Sequence, residues 1–291
     1  MDRSRRLLDL PENFRYTGKG VAVCVLDTGV EKSADIGRIK GFKDLLNGRT
    51  KPYDDNGHGT HVCGILCGSG AASKGRYRGI APEVDLIVLK TLDKKGQGIS
   101  ADVLKGLQWV SENRKKFNIR IVNLSIGTGS TDIHDPLVLG AEELWDSGVA
   151  VVTAAGNGGP GRGSVSTPGI SKKVITVGCC DDLPSAAPVG DKILNYSGRG
   201  PTPECVVKPD IVAPGSNIVS CGTGGRDYRV LSGTSMSTPM ISGAAALLLE
   251  KHPDLTPNEL KLYLKKACIS LELPPNQQGW GRLDIKKLLE S

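Results

Sequence analysis

Val21-Ala22-Val23-Cys24-Val25-Leu26 runs without a polar side chain into Asp27-Thr28-Gly29, and this stretch decides the fold. A strand wet on one face alternates polar and apolar residues. A run apolar at every position is covered on both faces, as strands of a parallel sheet are. Residues 84–89, 121–124, 149–153 and 174–177 repeat the pattern. Helical patterns fall between them. Ser100–Phe117 places Val103, Leu104, Leu107 and Val110 on one face, with Ser100 as the expected N-cap, and Pro136–Asp146 is a second such helix. Alternating strands and helices predict an α/β fold, three layers deep, with a mostly parallel central sheet flanked by helices.

The last third reads differently. Residues 217–220 and 228–231 flank Gly-rich sequence and predict a hairpin. Residues 237–250 carry no charge until their end, so that helix is expected to run through the core. Thr256-Pro257-Asn258-Glu259 has a capping residue, Pro at the first helical position and an acid in the first turn. No linker or repeat interrupts residues 20–290, so a short N-terminal extension, 1–19, and one domain, 20–291, are expected.

Composition bounds the rest. Apolar residues make up 38% and aromatics 4%, with 38 glycines, and the net charge of +6 is spread along the chain. A nucleic-acid surface would gather its cations on one face, so no nucleic-acid partner is expected. No apolar run approaches the ~20 residues that span a bilayer, so no membrane is expected. No apolar segment follows the basic N-terminus as in a secretory signal, so the protein is expected either to stay in the cytoplasm or to be secreted with a signal and pro-segment removed. The eight cysteines (Cys24, Cys63, Cys67, Cys179, Cys180, Cys205, Cys221 and Cys268) lie in apolar or adjacent positions that suit neither bridges nor a metal; buried, reduced thiols in a cytoplasmic protein are expected.

Four segments break the packing logic around them. Asp27 is an acid at the C-terminal end of an apolar strand, where catalytic groups collect in open α/β sheets, although a turn-capping role suits it equally well. His58 stands between Gly57 and Gly59 at the mouth of a helix, with little to pack against. His61, three residues on, completes no metal set and is expected to be structural, its ring hydrogen-bonded locally. Ser235, in Ser232-Gly233-Thr234-Ser235-Met236-Ser237-Thr238-Pro239, could be a helix cap. The segment offers more caps than one helix can use, however, and a hydroxyl there lies in the positive field of the helix end. Asn157, after Thr153-Ala154-Ala155-Gly156, is either a turn residue or an amide donor for an oxyanion.

Asp27-Thr28-Gly29, His58-Gly59-Thr60-His61, Ala155-Gly156-Asn157 and Gly233-Thr234-Ser235-Met236, in this order, resemble the subtilisin family of serine proteases. Gly79-Ile80-Ala81-Pro82, Asn123-Leu124-Ser125-Ile126-Gly127 and the segment from Lys208 to Gly215 resemble its framework and groove motifs, so the likeness covers residues 20–290. It implies a serine endopeptidase with Asp27, His58 and Ser235 as triad and Asn157 as oxyanion donor, acting on extended polypeptides without a cofactor in catalysis. It implies that Leu124, Ser125, Ile126 and Gly127 form one wall of the groove, Ala154, Ala155 and Gly156 the other, with Ser166 at the base of the P1 pocket. No charge sits in these segments, so a roomy neutral pocket and large apolar or aromatic P1 residues are expected. A pro-domain or protein inhibitor is the other partner the resemblance implies.

The chain departs from that family at residues 68–78, where many relatives carry a calcium loop: three cations and no carboxylate stand there, so no calcium is expected at 68–78. A structural site near Asp54 and Asp55 stays open. Met240 replaces a frequent histidine outside the triad. The wording of the Ser235 segment, with the reduced cysteines, points to the intracellular bacterial branch, and Cys221 is expected near the groove. Two rivals remain. A catalytically silent binding protein would be expected to have lost one of the four residues. An α/β-hydrolase esterase needs a Gly-x-Ser-x-Gly elbow and the order Ser, Asp, His, whereas this chain runs Asp, His, Ser.

Overall fold

The computed structural model describes residues 1–11, 15–182, 195–224 and 228–290. Each covered apolar run becomes a strand of one sheet. Its strands are β1 (Ala22–Asp27), β2 (Ile39–Asp44), β3 (Asp85–Lys90), β4 (Ile119–Leu124), β5 (Ala150–Ala154), β6 (Ile175–Cys179), β7 (Ile211–Ala213), β10 (Cys268–Ile269) and β11 (Arg282–Leu283). They lie in the order β10-β11-β7-β6-β5-β4-β1-β3-β2. All pairings from β2 through to β11 are parallel, and only β10 is antiparallel to its neighbour. In β1 and β3 every residue is buried, which is why neither alternates. β2 was not legible as a strand: Ile39-Lys40-Gly41-Phe42-Lys43-Asp44 lies at the sheet edge, half-buried and carrying lysines, as edge strands do.

The helices are α1 (Asp2–Leu7), α2 (His58–Cys67), α3 (Ser100–Phe117), α4 (Pro136–Asp146), α5 (Thr234–Lys251), α6 (Pro257–Lys266), α7 (Pro275–Gln278) and α8 (Ile285–Glu290). α5 is buried from Met236 to Leu249 and packs against β4, β5 and β6, as its chargeless sequence requires. α6 begins with the full capping box of Thr256 and Glu259. Ser100 is not a cap: Ile99 occupies that position without a side-chain bond, and Ser100 is the first helical residue. The hairpin is β8 (Ile218–Cys221) with β9 (Tyr228–Leu231), antiparallel, its tip at 225–227 outside the described residues.

Residues 1–10 fold onto the body. Met1, Leu8 and Leu10 are buried, Arg5 donates to the Gly79 carbonyl at 2.6 Å, and Ile285 N–H donates to Leu8 O at 2.8 Å. Loop 68–78 is closed from outside by Asp35, which accepts Ala72 N–H on its carboxylate at 2.8 Å and Ser69 N–H on its main-chain oxygen at 3.0 Å. All eight cysteines are unpaired; Cys24, Cys63, Cys67, Cys179 and Cys221 are buried, whereas Cys205 is exposed, against expectation. No helix among the described residues is long and apolar enough to cross a membrane.

Candidate active site

The C-terminal ends of β1, β3, β4 and β5 open towards one edge of the sheet, and the N-termini of α2 and α5 point at it. Asp27 is the last residue of β1 and fully buried. Its Oδ1 accepts the Thr28 N–H at 2.7 Å and meets His58 Nδ1 at 2.7 Å. An ionised carboxylate accepts only, so His58 carries its proton on Nδ1 and offers Nε2 to the cleft. His58 is the first residue of α2, whose start is set by Gly57 in a left-handed conformation, φ 100°. Gly59 allows the closest approach: a Cβ there would lie 2.2 Å from the Gly29 carbonyl oxygen. Burial alone would lower the His58 pKa, but the charge and hydrogen bond of Asp27, with the charge of Asp54 behind, hold it above the usual histidine value.

Ser235 is not a cap. Gly233 is the N-cap of α5, and Ser235 lies in the first turn, where backbone N–H groups lack intrahelical acceptors. Ser235 Oγ donates to Ser125 O at 3.1 Å, and Ser125 Oγ donates back to Ser235 O at 3.0 Å. Asn123 Nδ2 holds Ser125 Oγ at 3.0 Å, and Ser242 Oγ holds Asn123 Oδ1 at 2.9 Å, so a polar chain fastens the end of β4 to α5. Asn157 Oδ1 accepts both the N–H and the hydroxyl of Thr234, each at 3.0 Å. With its oxygen so engaged, its NH₂ is left to donate elsewhere, on the side of the helix N-terminus. Asp27 is thus bonded to His58, Asn157 to Thr234 next to Ser235, and His58 and Ser235, 177 positions apart in the chain, line one cleft.

A cleft of about 700 Å³ contains His58, Ser125, Ile126, Gly127 and Ser235. Ser166 lies between the two expected walls: a Cβ on Gly127 would sit 2.6 Å from Ser166 Cβ, and one on Gly156 1.8 Å from Ser166 Oγ. Leu124 and Ala154, the last residues of β4 and β5, are buried, as is Ala155 next in the chain. Beside the 125–128 wall, Leu92, Val103 and Leu137 also line the cleft, with Lys95. These residues, and the cation among them, were missed: Leu92 and Lys95 follow the end of β3, where the strand-end rule was not applied, and Val103 and Leu137 come from α3 and α4.

Two expectations fail here. His61 is buried, but its partners are distant in sequence: Nε2 donates to Ile218 O at 3.0 Å and Arg229 O at 3.2 Å, tying α2 to the hairpin. Desolvation lowers its pKa to about 3, so the ring is neutral. Cys221 is buried beside Gly64 and Asp35, away from the cleft, and desolvation pushes its thiol up to about 12, so it neither faces nor guards the groove. Asp54 and Asp55 are engaged by protein donors, Asp54 by Thr28, Asn56, Gly57 and Thr60, and Asp55 by Lys90 Nζ at 2.6 Å.

The profile of the Subtilase family matches residues 18–281. Serine protease AprX of Bacillus subtilis is 46% identical over 292 residues, covering 93% of this chain and 66% of that protein. The Thermostable alkaline protease of Halalkalibacterium halodurans is 35% identical, covering 88% of this chain and 64% of its own length. The chain thus spans about two thirds of these relatives. Subtilisin Savinase of Lederbergia lenta is 34% identical over 89% of this chain and 87% of its own. Among solved structures, a cold-adapted subtilisin-like serine proteinase superposes with a TM-score of 0.75 at 30% identity, covering 95% of this chain and 91% of its own. With Asp27 bonded to a half-buried His58, a helix-terminal Ser235 in the same cleft and a profile match across nearly its whole length, the chain belongs to the subtilase family.

Proposed function

We propose that this chain is a serine endopeptidase that cleaves extended polypeptides through an acyl-enzyme. The observation that carries the reading is the 2.7 Å contact of Asp27 Oδ1 with His58 Nδ1 in a cleft shared with Ser235. Ser235 Oγ turns from the Ser125 carbonyl to His58 Nε2, gives up its proton and attacks the scissile carbonyl. Asp27 keeps the imidazole in the required tautomer and stabilises its charged form. The developing oxyanion takes hydrogen bonds from Asn157 Nδ2 and Ser235 N–H, the latter in the positive field of α5. His58 then protonates the leaving amine, and water repeats the sequence on the acyl-enzyme.

The substrate pairs as an added strand along Ser125-Ile126-Gly127. Ser166, between Gly127 and Gly156, closes a pocket base that holds no charge, which supports large apolar or aromatic P1 residues. The unpaired thiols support a reducing compartment. Casein digestion by the wild type and by Ser235→Ala, each with and without a chelator, tests the reading: hydrolysis is expected to vanish in Ser235→Ala. Full activity in that variant contradicts it. Chromogenic peptides with P1 Phe, Leu, Lys and Glu test the pocket, and a clear Lys preference refutes the P1 reading.

A further inference from the structure

Behind the Asp27–His58 pair sits a second buried carboxylate that the triad does not use. Asp54 is 9% exposed and lies four residues before His58. Its Oδ1 accepts Thr28 Oγ1 at 2.9 Å, Asn56 N–H at 3.1 Å and Gly57 N–H at 2.9 Å. Its Oδ2 accepts Thr60 N–H at 2.8 Å and Thr60 Oγ1 at 2.7 Å. Thr60 is the third residue of α2, so Asp54 caps that helix from outside, while the N-cap, Gly57, has no side chain to do it. Its partner Thr28 gives its N–H to Asp27 and accepts Gly59 N–H at 2.9 Å. One carboxylate therefore fixes both the residue after Asp27 and the residues on either side of His58.

We propose that Asp54 is a positioning residue for His58, setting the first turn of α2 and placing a second negative charge behind the imidazole. The inference rests on the reading of His58 as the general base. Asp54 stays ionised: desolvation would raise its pKa, but the hydrogen bonds from Gly57, Thr60 and Asn56 hold it below the usual carboxylate range. The charged and titratable groups around His58 are few. Asp27 faces it from β1 and Asp54 from the turn before α2; His61, on α2, is neutral. Lys90 at the end of β3 is fully buried, donating to Thr28 O and paired with Asp55. Lys95 lines the cleft, and the Arg229 guanidinium on β9 lies against Gly57. Removing the Asp54 charge therefore leaves the histidine with Asp27 alone on the anionic side and these cations unchanged.

The sign follows. A histidine whose pKa is raised by two carboxylates loses part of that rise when one is neutralised, so it stays an active base to lower pH. In Asp54→Asn the acid limb of kcat/KM for a P1-Phe peptide is expected to move down by about half a pH unit. The kcat at the plateau is expected to fall roughly tenfold or more, because the imidazole is less well held, with KM within about twofold. A purely structural Asp54 would lower activity by one factor at every pH. An acid limb that stays in place in an active, folded Asp54→Asn overturns the inference while leaving the peptidase reading intact. Absence of hydrolysis in the wild type overturns both. Thr60→Val is the companion should Asp54→Asn not fold, because it keeps the charge and removes one donor. Lower kcat with the acid limb unmoved is expected of it, and wild-type kcat would overturn the positioning role.

Discussion

Asn157 shows how a residue with a bland local reading becomes a candidate for a chemical role. A turn asparagine needs only a tolerant backbone, but here Thr234 occupies the side-chain oxygen from two donors and leaves the amide NH₂ beside Gly233, at the N-terminus of α5. Asn157→Ala is expected to lower kcat by roughly 10²–10³-fold, a magnitude measured for such a donor in a subtilisin. KM is expected to change little, since the bond forms with the transition state; a large KM rise at unchanged kcat would refute the role. The residue scale was the most legible in the sequence. Asp27, His58 and Ser235 each break a local packing pattern, and a broken pattern is visible without coordinates. What was not legible was the role of Asp54, which the sequence leaves open, with Asp55, as a calcium site; its five protein donors come into view only in the fold.

Elements convert those residues into geometry, and α2 does most of it. Its N-terminus carries His58, its first turn is held by Asp54, and its body is fastened to the hairpin by His61. Gly64 lets the two surfaces meet: a Cβ there would lie 2.5 Å from Ser220 Oγ and 2.8 Å from Cys221 Cβ. His61 was legible as structural, but its partners lie 157 and 168 positions away, and no local pattern announces a contact of that span. The burial of its ring has a consequence for pH. Unfolded, the ring protonates near 6.5; folded, desolvation holds it neutral down to about 3. The unfolded chain therefore binds the extra proton in that window, and the stability His61 contributes is complete above about 6.5 and lost as pH falls towards 3. Thermal denaturation of the wild type and His61→Asn across this range checks it. The variant is expected to melt lower at neutral pH and with a flatter acid slope; an unchanged slope counts against the assignment.

At the scale of the molecule, a parallel sheet collects strand C-termini along one edge, and two helix N-termini, of α2 and α5, face that edge. Covered strands β1, β3, β4, β5 and β6 were legible because a short, continuous apolar run suits a strand covered on both faces and little else. β2, β7 and the short pair β10–β11 were not, being edge or two- to three-residue elements whose pairing comes from neighbours rather than from their own sequence. The cleft beside the 125–128 wall was equally hidden, since it is built by side chains following β3 and from α3 and α4 that have no common motif. The central claim is that this architecture makes the Ser235 hydroxyl a nucleophile. The direct measurement is reaction of the full chain with a serine-directed fluorophosphonate, followed by intact-mass and peptide mapping. One phosphonyl group per chain is predicted, on Ser235, with casein hydrolysis lost in proportion and labelling abolished in His58→Ala. A label on another residue, or hydrolysis that survives complete modification of Ser235, would contradict it.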